Sequence, residues 1–227
     1  MKAMLLAAGR GERLRPLTDR IPKALVEVAG KPLVAWHLER LAASGCAEAV
    51  INISHLGEQI AERIGDGARF GLRIRYSREP QPLETAGGIA QALALLGKDA
   101  FLLVNSDVFC EVDFAGLLRL PPGKRLAHLV LVPNPPHREQ GDFSLQAGSV
   151  GNSGRPRYTY AGVAVVSPQL VASVRPGDKA PLAPLLREAA DRRLISGELF
   201  PGLWQDVGTV ERLGELETRL ASRNEAG

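Results

Sequence analysis

Between Met4 and Val104, short apolar runs alternate with stretches of helical period, and this alternation constrains the fold more than any other feature of the chain. Met4 to Ala8, Ala49 to Ile53, Leu72 to Tyr76 and Phe101 to Val104 read as strands. Between them, Pro32 to Ala43, His55 to Ile64 and Ala86 to Leu96 read as helices; the first has proline near its start and Ser44-Gly45 at its end. Strands and helices in alternation predict an α/β fold: a Rossmann-like, doubly wound, mixed but mainly parallel sheet with helices on both faces. Ligands of such sheets bind beyond the carboxyl ends of the strands. The loops at Gly9, Glu79 and Asp107 all leave such ends.

After Asp107 the pattern loosens. Leu126 to Val132, Phe143 to Val150 and Tyr158 to Val166 read as strands, expected to add to the sheet in antiparallel fashion. Leu182 to Leu194 and Thr209 to Leu220 read as helices, with residues from Ala221 onward expected to fray. The 227 residues suit a single domain.

The first loop is dense in chemistry. The strand at Met4 runs straight into Gly9-Arg10-Gly11-Glu12-Arg13-Leu14-Arg15-Pro16-Leu17-Thr18. Glycines after a strand let the backbone approach a ligand, and exposed N–H groups there cradle phosphate. Arg10, Arg13 and Arg15 crowd the same loop, and guanidinium groups suit polyphosphate oxygens. Pro22-Lys23 then places one lysine after a rigid residue. Together these features point to a nucleoside triphosphate; the plainer alternative is a surface turn with solvated arginines. Neither a Walker A loop nor a dinucleotide fingerprint fits, because Gly-Lys-Ser/Thr is missing and Leu14 holds the place of the third glycine.

Composition mainly excludes. A hydrophobic fraction of 45% is ordinary for a globular chain that buries a core without disulfide or metal support. A net charge of +3, with arginines spread along the chain and no aromatic–basic interleaving, argues against nucleic acid. Cys46 and Cys110 lie far apart, with no metal spacing, which fits a reduced cytoplasmic compartment. Met4 to Ala8 is too short for a signal peptide, and no run approaches the roughly 18 apolar residues of a membrane span, so neither is expected. His37, His55, His128 and His137 show no ligand spacing and receive no role.

AAGRGERLRPLT followed by PKALVEVAGKPL closely resembles the paired signature of the sugar-1-phosphate nucleotidyltransferases, with Glu12 in place of a small hydroxyl residue and Glu27 in place of a common proline. Glu12 is therefore expected to point away from the phosphate path or to pair with an arginine. The resemblance covers nearly the whole chain. It implies nucleotide binding by Ala7, Gly9, Gly11, Arg13 and Lys23, with Lys23 and Arg13 catalytic. Glu79-Pro80-Gln81-Pro82-Leu83-Glu84-Thr85-Ala86-Gly87-Gly88 resembles the base-reading segment, with Glu84 where glycine is usual; Glu79, Thr85 and Gly88 are the expected contacts. Glu79 is either an acceptor for a ring N–H or a solvated loop acid, and carboxylate chemistry alone does not choose the base.

Asn105-Ser106-Asp107 and Trp204-Gln205-Asp206-Val207-Gly208-Thr209 resemble the family's two metal segments, so Asp107 and Asp206 are expected to hold Mg²⁺. Asn105, Gly141, Asp142 and Gly162 match the sugar-facing segments more loosely. The lysine that many relatives use for the sugar phosphate has no counterpart, which leaves Arg155, Arg157 or Lys179 as stand-ins. The resemblance divides the chain into a nucleotide-binding half, about residues 1–110, and a sugar-binding half, about 111–227. The reaction it implies runs from UTP to N-acetylmuramate α-1-phosphate, with the Asn152 to Arg157 segment offering a basic corner to the lactyl carboxylate. Guanylyl or thymidylyl transfer, a metal-dependent glycosyltransferase and a nucleotide-sensing subunit are the alternatives. A cytoplasmic monomer or small homo-oligomer is expected, without nucleic-acid or membrane partners.

Overall fold

The computed structural model describes residues 1–120 and 123–225. The first half supplies strands β1 (Ala3–Leu6), β2 (Glu27–Val28), β3 (Lys31–Pro32), β4 (Glu48–Ile53), β5 (Arg73–Arg78) and β6 (Phe101–Asn105). Its helices are α1 (Leu33–Ala43), α2 (Gly57–Ile64) and α3 (Glu84–Leu96). Strands β5, β4, β1 and β6 lie in that order, all parallel. The chain therefore steps outward from β1 through β4 to β5, then returns to the other side of β1 with β6. The reversal opens a crevice at the carboxyl ends of β1 and β6. Register places Leu6 opposite both Asn52 and Asn105, so both asparagines flank the exit of β1.

Alternation within β1 shows why these short runs are strands: Ala3 and Leu5 face one core, Met4 the other, and all three are buried. Helices α1 and α2 cover the first face through Val34, Leu38 and Ile60; α3 covers the second through Ala86, Ile89 and Leu96.

The second half comprises β7 (Val108–Cys110), α4 (Phe114–Leu118), β8 (Ala127–Val132), β9 (Phe143–Gln146), β10 (Ser149–Gly151) and β11 (Arg157–Val166). α5 (Leu182–Asp191), β12 (Ile195–Leu199), β13 (Trp204–Asp206) and α6 (Val210–Glu225) follow. β11 joins β6 antiparallel, and the sheet continues through β8, β12, β10 and β9. Because β9 also pairs with the start of β11, this end of the sheet closes into a ring.

Several expectations are corrected. The large sheet is mixed, as expected, but not mainly parallel, because β11, β9 and β10 join by antiparallel pairing through short connections, and β12 alone of the later strands runs parallel to its neighbour β8. Phe143 to Val150 is not one strand but a hairpin turning at Ala147 and Gly148, both at positive φ; Ala-Gly lacks the Asn or Asp that usually marks such a turn. β12 carries few apolar residues and gives little sequence signal, yet it lies parallel to β8. The two-residue strands β2 and β3, the short helix α4 and the β7/β13 pair are likewise additions. α6 does not fray at Ala221: it continues to Glu225, with Arg223 donating to Glu111 at 3.0 and 3.1 Å. Ala226 and Gly227 lie outside the described residues.

α6 is mostly polar and is held by a narrow stripe. Leu216 is fully buried in a third core with Val26, Val28, Leu33, Phe109, Leu203 and Val207. Leu213 and Leu220 pack around it. The β7/β13 pair beneath that core has Asp206 opposite Val108, and Val207 N–H donates to the carbonyl of Asp107 at 2.8 Å. This tie brings two aspartates 99 positions apart in sequence to adjacent backbone.

Candidate active site

A cleft opens where the topology predicts one. Leu6 lines it from the end of β1 and Ala7, Ala8 and Gly9 from the turn that follows, Asn52 from β4, Glu79 from just past β5, Asn105 from the end of β6, and Ser106 and Asp107 from the turn after it. Lys23, Glu84 and Thr85 complete the wall. Of the residues expected to contact nucleotide, Ala7, Gly9, Lys23, Glu79 and Thr85 share this cleft with Asn105 and Asp107.

A chain of hydrogen bonds crosses its floor. Ala7 N–H donates to Asn52 Oδ1 at 2.8 Å, Asn52 Nδ2 donates to Glu79 Oε1 at 2.7 Å, and Leu83 N–H donates to Glu79 Oε2 at 2.9 Å. Glu79 is 4% exposed, so it is not a solvated loop acid. Burial pushes its carboxyl above the usual range, opposed by the Leu83 and Asn52 bonds. Gly88 acts underneath: a Cβ there would stand 2.6 Å from Glu79 Oε1 and 2.8 Å from Asn52 Nδ2. Its glycine is required for α3 to pack on this pair; it does not line the cleft. Glu84 has φ of 61°, the left-handed region, which explains why glycine is the common residue there. Its carboxylate lies 3.5 Å from Lys179 Nζ.

The arginine loop is wound into short 3₁₀ turns that return the chain to the cleft. Gly11, at φ 66°, packs on Thr18 and on the Cβ of Lys23, and Thr18 Oγ1 donates to its carbonyl at 2.8 Å. Gly11 thus shapes the loop from below. Lys23 Nζ meets Asp107 Oδ2 at 2.7 Å, bridging the two lips of the crevice. Ser106 Oγ donates to Leu6 O at 2.5 Å and holds the β6 lip against β1. Arg10, Arg13 and Arg15 are exposed; Arg15 pairs with Asp19 at 3.1 Å. Glu12 is exposed and makes no ion pair among the described residues, in keeping with a side chain that points away.

The second aspartate belongs to a neighbouring cluster. Asp206 Oδ2 accepts from Arg212 Nη1. Its Oδ1 is buried without a hydrogen-bond donor, although His137 Nε2 lies 3.2 Å away. A buried carboxylate oxygen without a hydrogen-bond donor, on the residue preceding the Val207 that is tied to Asp107, has the hard donor chemistry that suits a divalent cation.

The sugar-facing expectations divide. Gly162 lies in a bulge of β11, with φ of 74°, and a Cβ there would strike the Asn105 side chain. It therefore seats Asn105 at the cleft. Gly141 and Asp142 do not line the cleft. Gly141 borders a separate groove with Arg155 and Arg157. Asp142 accepts from Arg138 Nη1 at 3.1 and 3.0 Å and from Tyr160 N–H at 2.9 Å, so its carboxylate fastens the start of β11. Arg157 donates to the backbone carbonyls of Gln140, Asn152 and Asp142, which spends its fork on the chain itself. That removes it as a free anchor for an anion and leaves Arg155 exposed beside it.

Comparison with known proteins shows the family of this chain. The family model described as nucleotidyl transferase matches residues 2–144. The chain is 50% identical to N-acetylmuramate alpha-1-phosphate uridylyltransferase of Neisseria meningitidis serogroup B, over 96% of this chain and 97% of that protein. It belongs to the sugar-1-phosphate nucleotidyltransferases. The protein of the same name from Caulobacter vibrioides is 35% identical over 96% of each chain. A crystal structure of UDP-glucose pyrophosphorylase in complex with UDP-glucose shares the fold, with a TM-score of 0.79, 18% identity and 98% of both chains covered.

For this nucleotidyltransferase, one residue of the cleft and two of the Asp206 cluster are not marked as site residues by any motif in the sequence. Asn52 is a polar residue inside the apolar run Ala49 to Ile53, a signal that was available. Arg212 and His137 surround Asp206, but only the fold brings them there. No group of three or more metal-type ligands occurs among the described residues, so any cation here would rest on two carboxylates plus substrate oxygens and water.

Proposed function

We propose that this protein transfers a uridylyl group from UTP to N-acetylmuramate α-1-phosphate, giving UDP-N-acetylmuramate and pyrophosphate in cell-wall sugar recycling. The observation that carries the chemistry is the Lys23 Nζ to Asp107 pair at 2.7 Å across the crevice between β1 and β6. The donor and acceptor rest on near-full-length likeness to two proteins named for that reaction. The order of the four parallel strands supports reading residues 1–110 as a Rossmann-like nucleotide-binding half, and residues 111–227 as the sugar-binding half.

The nucleophile is a phosphate oxygen that is already anionic, so no strong general base is needed. Positioning and charge neutralisation dominate. Base and ribose lie over the Glu79, Thr85 and Asn52 wall, with Ala7 and Gly9 beside them. Lys23 turns from Asp107 to the α-phosphate, where negative charge builds in the transition state. Arg13 and the loop N–H groups hold the β- and γ-phosphates. Asn105, seated by Gly162, faces the ribose or the sugar. Asp107 and Asp206 would hold Mg²⁺, which supplies charge neutralisation to the reacting phosphates. The protein is read as cytoplasmic; among the described residues no helix is long and apolar enough to cross a membrane.

The test is pyrophosphate release with Mg²⁺ across four nucleoside triphosphates and a panel of sugar 1-phosphates. Release confined to UTP with N-acetylmuramate α-1-phosphate is expected. Turnover with another pair would discard the substrate assignment, and no release with any pair would discard the reaction.

A further inference from the structure

Arg212 stands at the first turn of α6, and its backbone is pinned because Gln205 Nε2 donates to its carbonyl at 2.9 Å. The side chain is only 13% exposed. Nη1 is committed to Asp206 Oδ2 and lies 2.9 Å from His137 Nε2. Nη2 points elsewhere. It comes within 2.5 Å of the position a Cβ would take on Gly208, and Arg13 Nη2 comes within 3.2 Å of the same point.

Two guanidinium groups from opposite ends of the sequence thus converge on one glycine. Any side chain at Gly208 would push them apart. Like charges this close repel unless an anion joins them. Asp206 balances Arg212, but Arg13 has no acidic partner among the described residues. An anion with several oxygens, able to accept from two forks at once, completes the arrangement; a phosphate chain has that chemistry.

From this geometry we infer that Arg212 is a second arginine for the leaving pyrophosphate, stored on Asp206 until a divalent cation claims that carboxylate. In the resting protein the guanidinium neutralises the partly buried carboxylate of Asp206. When a cation takes Asp206, the Nη1 contact is lost and the whole fork turns beside Arg13 to the β- and γ-phosphate oxygens. Storage makes Arg212 a competitor of the metal and a partner of pyrophosphate, so its removal affects the two ligands in opposite directions. The inference rests on the reading of Asp206 as a metal ligand.

The experiment measures two affinities without turnover. Mn²⁺ alone is titrated by electron paramagnetic resonance, and pyrophosphate with saturating Mg²⁺ by calorimetry, for wild type, Arg212→Met, Arg212→Lys and Asp206→Asn. Arg212→Met should tighten Mn²⁺ binding several-fold and weaken pyrophosphate on the order of tenfold, the scale of a lost charge-assisted contact. Arg212→Lys should fall between, since it keeps the charge but loses the fork. Both affinities unchanged in Arg212→Met would overturn the inference. Both weakened, with a lower Tm in the Met and Lys variants alike, would reduce Arg212 to a prop for α6 and equally overturn it. Unchanged Mn²⁺ binding in Asp206→Asn would instead sink the metal reading of Asp206, and this inference with it.

Discussion

Single side chains in this protein do work that their residue type alone does not disclose. Lys23 is one of many basic residues near the N-terminus, yet among the described residues it alone pairs with Asp107 across the crevice. If it stabilises charge on the α-phosphate, Lys23→Ala should lower kcat by about 10²- to 10³-fold, the scale for one lost transition-state donor. Near-normal turnover in a pyrophosphate-release assay would sink that role. Glu79 illustrates a second kind of dependence. Its carboxylate accepts from Asn52 Nδ2 and Leu83 N–H, so it must be acceptor-only at both oxygens. Glu79→Gln keeps the shape but brings an amide donor against one of these N–H groups. If Asn52 flips to compensate, Ala7 N–H loses its acceptor. Glu79→Gln should therefore lower stability by about 1–3 kcal/mol, the cost of one unsatisfied buried group. Urea denaturation gives the value, and an unchanged midpoint would show that the network adapts.

Elements carry these side chains into place, and their own weak points are visible. α3 begins at Glu84, held at φ 61° where a Cβ is unfavourable. Glu84→Gly should cost little or nothing, whereas the β-branched Glu84→Val should destabilise by about 1–2 kcal/mol. Equal denaturation midpoints for the two variants would contradict a strained helix start. α6 depends on its buried stripe. Leu216→Ala should cost about 2–5 kcal/mol and loosen the helix that presents Arg212. Hydrogen exchange localised to α6 and β13 would report it; uniform exchange across the sheet would not fit. At this scale the sequence was readable where a helix was long and periodic, as in α1 and α3, or where a strand was an unbroken apolar run, as in β6. It was unreadable where pairing partners define the element: β12 has two apolar residues among five, and β7 and β13 exist because each supplies the other's backbone bonds.

Across the whole molecule, a buried histidine links the sheet to pH. His37 on α1 donates Nε2–H to the carbonyl of Val108 at 2.7 Å, directly behind Asp107, and its Nδ1 has no partner. Burial pushes its pKa from 6.5 down to about 4. The unfolded chain therefore binds a proton in this window that the folded chain refuses. Stability should fall as pH drops from 6.5 toward about 4, by an amount on the order of 3 kcal/mol. His37→Gln keeps a donor for Val108 and removes the titration, so its urea midpoint should change less between pH 7.5 and pH 5 than that of wild type. Equal changes would place the acid sensitivity elsewhere.

The amino-acid sequence by itself determined the strand–helix rhythm of the first half, because each apolar run had to be buried whatever its neighbours. It also put Gly9 and Lys23 in a loop of phosphate-binding type, since turn and phosphate chemistry are local, whereas Asp107 and Asp206 stood out only through the family resemblance. Tertiary structure alone decided the rest. Gly11 and Gly88 are packing positions, Asp142 is spent on Arg138 and the Tyr160 N–H, Arg157 on backbone carbonyls, and Arg13 meets Arg212 over Gly208. These outcomes depend on which donors and acceptors the fold brings within reach of one another. That is a property of distances between segments remote in the chain, which residue type and spacing do not encode.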